Sequence, residues 1–120
     1  MEETCAAARL LPGDPPRWAD RLSEAQRTIR SVTRDLQGEA DPARRLANAT
    51  VYLEAFGHIV VAWIWLQQAI AAAGLEGDFY AGKLQACRYF FDWELPKTGP
   101  QLALLVRNDT AALDMRDAWF

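Results

Sequence analysis

Between Ala55 and Leu75 the chain runs for twenty-one residues without a formal charge: AFGHIVVAWIWLQQAIAAAGL. A stretch this apolar has to be covered by something. Its large side chains recur at spacings of three and four, which is the period of a helix. Asp41-Pro42 is a helix start signal and Gly74 is the next strong stop. The spacing therefore predicts one helix over 42–73, roughly 48 Å long at the usual rise per residue. One face holds Leu46, Thr50, Leu53, Gly57, Val60, Ile64 and Ala71; a neighbouring face holds Tyr52, Phe56, Ile59, Trp63, Leu66 and Ile70. Two apolar faces require neighbours on more than one side, so this helix is expected at the centre of the fold. Gly57 lowers helix propensity by about 1 kcal/mol against alanine, and a close helix crossing is the expected compensation. The run is long enough to raise a membrane span. His58, Gln67 and Gln68 lie within it and basic flanks are missing, so a packed core helix is preferred and no span is expected.

The flanking segments also read as helices. Asp14 can accept orphan backbone N–H bonds ahead of Pro15-Pro16, and Gly38 is a terminator. Trp18, Leu22, Ala25, Ile29, Val32 and Leu36 give one apolar stripe, predicting a one-sided helix over 15–37. Asp78 is the N-cap candidate for a helix over 78–95 carrying Tyr80, Leu84, Cys87, Phe91 and Leu95. Pro96 removes a backbone donor and should end or kink it. A short helix over 99–107 and one last turn, AALDM, follow. No segment alternates with period two. The expected fold is all-α: an antiparallel bundle of three long helices plus short C-terminal helices. Residues 1–13 read as a mobile lead-in with room for a short helix, 14–115 as the bundle, and 116–120 as an aromatic tail.

Composition narrows the function. The 120 residues include 51% hydrophobic and 24% charged, the usage of a single folded domain. Thirteen basic against sixteen acidic residues give a net charge of −3, so nucleic acid is not an expected partner. One histidine excludes a histidine-rich metal site. The acidic start, MEETCAAARLL, does not resemble a secretory leader. With only Cys5 and Cys87 as thiols, a reducing cytoplasm is the expected setting.

Chemistry-bearing residues are few, and each has a plainer reading. His58 follows Glu54 by four residues and shares its helix face, a spacing that could tune an imidazole for proton transfer. The plainer reading is a hydrogen bond within the helix. Cys87, with Lys83 and Arg88 near in sequence, is either a reactive thiol or a small buried hydrophobe, and the second is preferred. Cys5 in the lead-in would be open to oxidation. Arg27, Arg30 and Arg34 could meet phosphates, although a solvated face is the simpler account. Phosphate loops, CxxC and HExxH motifs are absent. The aromatics say more. Five tryptophans exceed what a small core readily buries. Trp65 falls on the same side as Glu54, His58 and Gln68, the most polar side of its helix. With Tyr80, Lys83, Arg88, Tyr89 and Trp93 it forms the candidate interaction set; Trp119 and Phe120 add surface at the tail.

Several runs resemble a known family. Tyr52-Leu53 and Phe56-Gly57-His58 on one helix, Phe79-Tyr80-Ala81-Gly82-Lys83 opening the next, then Arg88 to Phe91 and Glu94 to Pro96, are similar to the C-terminal domain of the long acyl-CoA dehydrogenase subgroup. The likeness covers roughly 20–115. Cys87 departs from it, since a small residue such as alanine is common there. The resemblance implies FAD enzymes that oxidise acyl-CoA thioesters, with the flavin and catalytic glutamate in preceding domains. None of that machinery maps onto this chain. It implies a non-catalytic helical domain, without catalytic, cofactor or metal residues of its own. Such a domain packs on dehydrogenase core domains, supports homo-oligomer assembly and borders the acyl-CoA cleft. A free-standing dimerisation or protein-binding module, and a small enzyme or ligand carrier using Glu54 and His58, are the alternatives.

Overall fold

The computed structural model describes residues 1–120 and is all-α. Its helices are α1 (Glu2–Ala8), α2 (Pro15–Gly38), α3 (Pro42–Leu46), α4 (Ala49–Ala72), α5 (Asp78–Tyr89) and α6 (Thr98–Val106). A π-helical turn (Phe90–Glu94) and a 3₁₀ turn (Leu95–Lys97) join α5 to α6, and a last 3₁₀ turn spans Asp117–Trp119.

Capping chemistry explains most of the boundaries. Asp41 accepts from the Ala43 N–H at 2.9 Å and Pro42 opens α3. The expected helix over 42–73 is nevertheless two: Ala47 and Asn48 break it, and Asn48 turns its amide to the Asp109 carbonyl at 2.9 Å. Asp14 does not cap α2 as expected; its carboxylate lies 3.5 Å from Arg17. Gly77, at φ +114°, is the residue ahead of α5, so Asp78 is its first residue and not its cap.

α2 and α4 lie side by side, and the α5–π–α6 run packs along α4 and touches α2. The seam of α4 is small and regular: Ala55, Ala62 and Ala69, seven apart, are fully buried with Ile59 and Leu66 between them. Alanines allow close approach of neighbouring helix axes, which is why this face carries the core without much bulk. From α2 come Trp18, Leu22, Ile29 and Val32; from the third rod come Phe91, Leu95, Leu102 and Leu105. Trp18 stacks on Phe91 at 5.6 Å between ring centroids.

Two expectations are overturned. Residues 1–13 are not a mobile lead-in around Cys5. Cys5 is 1% exposed and Ala8 is fully buried, both in the core. Trp63 Nε1 donates to Thr4 Oγ1 at 2.7 Å, and Glu2 and Arg9 pair with Arg30 and Asp20 of α2. Gly57 marks no crossing within the chain: a Cβ there would meet nothing within 4 Å. The α4 face that includes it is bare, with Leu53 66% and Ile64 44% exposed.

That bare face fits the shape. The molecule measures 62 × 30 × 15 Å with a radius of gyration of 17.6 Å, against about 14 Å for a compact chain of this length. Its accessible surface, 7722 Å², exceeds the roughly 6,500 Å² of a typical monomer of equal mass.

Candidate interaction surface

The predicted interaction residues fall on the α5–π–α6 rod and the flank of α4 beside it. At the α5 start, Lys83 Nζ lies 5.7 Å from the Trp65 ring centroid and 5.5 Å from that of Phe79. Tyr80 meets Phe79 edge to face at 5.4 Å. An ammonium over ring faces is attracted to their negative quadrupole, by about 0.5–1 kcal/mol at an exposed site. Lys83 thus holds two rings from different helices in one cluster.

The second cluster is a product of the π turn. Pro96 has no N–H for the carbonyl four residues back, and its ring crowds that position. Ahead of it the helix widens, and the Leu95 N–H reaches the Phe90 carbonyl. A five-residue spacing brings Tyr89 over Glu94, with Tyr89 OH donating to Glu94 Oε1 at 3.4 Å. Lys97 Nζ donates to Glu94 Oε2 at 2.7 Å, and His58 Nε2 stands 3.9 Å from the same oxygen. The Lys97 hydrogen bond is the main reason the Glu94 carboxyl sits below the usual carboxylate range; the same bond raises Lys97. Tyr89 also stacks on Trp93 at 6.1 Å, and both rings are exposed.

Glu54 and His58 are brought near this cluster but take different partners. His58 Nδ1 lies 2.9 Å from the Glu54 carbonyl oxygen, which can only accept, so Nδ1 carries the proton. The Glu54 carboxylate accepts from Gln101 Nε2 at 3.0 Å. The arrangement is the bond within the helix, and it ties α4 to the third rod. Arg88 Nε lies 3.7 Å from Asp92, which also takes Arg21 at 2.9 Å and Arg17 at 3.5 Å. Arg88 is therefore engaged on the α2 side of α5, where it lines a cleft with Asp14, Pro15 and Trp18. Of the three α2 arginines, Arg30 pairs with Glu2 at 3.0 Å, and Arg27 and Arg34 face solvent.

Cys87 is wholly buried, and burial, with Asp14 adding a smaller push, raises its thiol to about 12. A thiol held that firmly protonated is a packing residue and not a nucleophile. Sequence reasoning missed Asp92 and Glu94 as the carboxylates that collect these cations. The Arg88–Asp92 and Glu94–Lys97 spacings were visible at helical distance. Their reach to α2 and α4 was not.

A cleft of about 650 Å³ lies between α5 and the start of α2, past Trp18, Leu84 and Arg88. One of about 520 Å³ runs between α2 and the start of α6, past Arg21, Leu95 and Leu102. Another of about 370 Å³ lies among Thr33, Leu36, Arg45, Leu46 and Tyr52. No group of three or more His, Cys, Asp or Glu side chains is placed to hold a metal ion.

A family model described as acetyl-CoA dehydrogenase C-terminal like matches residues 1–116. The chain belongs to that family. No curated protein gives a significant match, and no solved structure does. The family match takes in α1 and every helix through α6 and stops before the final 3₁₀ turn. It is therefore wider at the N-terminal end than the resemblance over 20–115.

Proposed function

We propose that the chain is a non-catalytic helical domain that docks on the core of an FAD-dependent acyl-CoA dehydrogenase and supports its assembly beside the acyl-CoA cleft. The family match over 1–116 carries this reading. In it, the flavin and the catalytic base belong to the core, and this chain supplies surface. The aromatic ridge of Trp65, Tyr80, Lys83, Tyr89 and Trp93 is the docking side. Exposed tyrosine and tryptophan anchors rimmed by cations are what interface hot spots are made of. The two free thiols, Cys5 and Cys87, suit the reducing cytoplasm in which such an enzyme would work.

The test is titration of the chain into a purified acyl-CoA dehydrogenase core, followed by sedimentation velocity at the flavin absorbance. The expected result is a flavin boundary that moves faster when the chain is added, and a colourless chain alone. Trp93→Ala should weaken the complex about tenfold or more, the usual scale for a central aromatic anchor. Stoichiometric flavin on the isolated chain, or a flavin boundary indifferent to it, would overturn the proposal.

A further inference from the structure

We infer that the cleft between α5 and the start of α2 is a binding site for a small zwitterion with an apolar body: a free α-amino acid with a large apolar side chain. This goes beyond the docking role proposed above, since it uses another surface and involves no dehydrogenase core.

The cleft holds about 650 Å³, within the range of small-molecule sites. Two helix edges face each other across it. The start of α2 supplies Asp14 and Trp18, four residues apart; α5 supplies Leu84 and Arg88, also four apart. Leu11 and Pro12 of the α1–α2 turn add an apolar wall.

Trp18 is the unusual member of this lining. It is 2% exposed, and its Nε1 has neither a hydrogen-bond partner nor contact with water. Buried polar groups are nearly always paired, so an orphan donor in the lining of a cleft points to an acceptor from outside the chain. Stacking on Phe91 at 5.6 Å holds the indole in place.

The two charges beside it are also open to a guest. Arg88 meets a carboxylate only at 3.7 Å, longer than a hydrogen bond, and shares it with Arg21 and Arg17. Asp14 caps no helix N–H and meets Arg17 at 3.5 Å. Asp14 and Arg88 do not pair with each other. A cation, a carboxylate and an unpaired donor around an apolar hollow are the complement of an amino acid. Its carboxylate accepts from Trp18 Nε1 and Arg88, its ammonium donates to Asp14, and its side chain lies against Leu11, Pro12 and Leu84. A plain anion would set a like charge beside Asp14, and a plain cation one beside Arg88. Trp18 Nε1 is sealed in the free chain, so the carboxylate reaches it as the α1–α2 turn, which lies outside any helix, gives way.

The probe is leucine, which has no ring current of its own, titrated into the ¹⁵N-labelled 120-residue chain. The assigned Trp18 indole N–H resonance should move downfield and saturate while the other indoles stay in place. N-Acetyl-leucine keeps the carboxylate and loses the ammonium; it should bind about tenfold more weakly, the scale of one charged hydrogen bond. Leucinamide keeps the ammonium and loses the carboxylate, and should leave the Trp18 signal unmoved. Asp14→Asn should erase the preference for leucine over its N-acetyl form. Arg88→Gln should weaken leucine about tenfold. Both side chains are about half exposed, so both variants should keep the parent's helical circular dichroism. A Trp18 resonance that stays still at millimolar leucine would overturn the site. So would equal binding of leucine and N-acetyl-leucine by the parent, or leucine binding unchanged in both variants.

Discussion

α2 and α4 are both 24-residue helices that give the core a stripe of buried residues, yet their outer faces are opposites. α2 turns Arg27, Arg30, Arg34 and Asp35 to solvent around a stripe of Trp18, Leu22, Ile29 and Val32. α4 buries an alanine seam and turns Leu53, Phe56, Val61 and Ile64 outward. Amphipathic patterning finishes α2 as a surface helix within this chain. α4 has the composition of an interior helix, a mean hydropathy of 1.5 over its apolar window, and a cover on only part of its circumference. One helix presents a charged outer face to solvent; the other leaves large apolar side chains open to it.

The largest effect that could break this contrast lies on the inner faces, where the two helices should behave alike. Leu22→Ala in α2 and Leu66→Ala in α4 each empty a fully buried site and should cost about 2–5 kcal/mol in urea unfolding. The outer faces should part company with them. Arg30→Ala should stay within about 0.5 kcal/mol, as exposed pairs do. A Leu66→Ala loss below 1 kcal/mol would mean that α4 is not the centre of the core.

A second effect concerns the thiol where the third rod meets the core. Cys87 has its proton affinity raised from 9.0 to about 12 on folding. Its contribution to stability is therefore complete below pH 9, declines as the unfolded thiol ionises, and is gone by about pH 12. Unfolding midpoints of the parent should fall more steeply over that window than those of Cys87→Ala, with the two profiles parallel at lower pH. Parallel profiles throughout would mean that the thiol reaches water in the native state.

A smaller effect reads the contact between the two long helices. Thr33 Oγ1 and Tyr52 OH lie 2.8 Å apart near the open end of the α2–α4 pair. Tyr52→Phe should cost about 0.5–1.5 kcal/mol, the usual net value of one hydrogen bond. A neutral result would show that this end of the pair is wet.

How much of this was readable follows from what each signal measures. Helix period and breakers placed α2, the stop at Gly74 and the disturbance before Pro96, because backbone geometry decides them locally. The break at Ala47-Asn48 depends on Asn48 reaching the distant Asp109 carbonyl, so nothing nearby announces it. Hydropathy favoured the bulky face of α4 and overlooked Ala55, Ala62 and Ala69, since a tight seam is built from small side chains. Cys5 looked free because seven residues of helix carry no strong stripe; its anchors are Trp63 and the α2 charges. At the candidate surface the aromatics were legible one by one. The meeting of His58, Tyr89 and Lys97 at Glu94 was not, because it needs a π turn whose cause is a single proline.

Gly57 supplies the finest test of the comparison. In a helix that closed on its neighbours, glycine would be there to admit a second backbone, and any Cβ would clash. Here a Cβ meets nothing within 4 Å and the residue lies inside regular α4 helix. Gly57→Ala should therefore stabilise the monomer by about 0.5–1 kcal/mol, through the backbone freedom that glycine loses on folding. The gain is read by urea unfolding followed at the tryptophans. Destabilisation under those conditions would mean that the chain itself covers this face, and the distinction between a finished α2 and an unfinished α4 would fall with it.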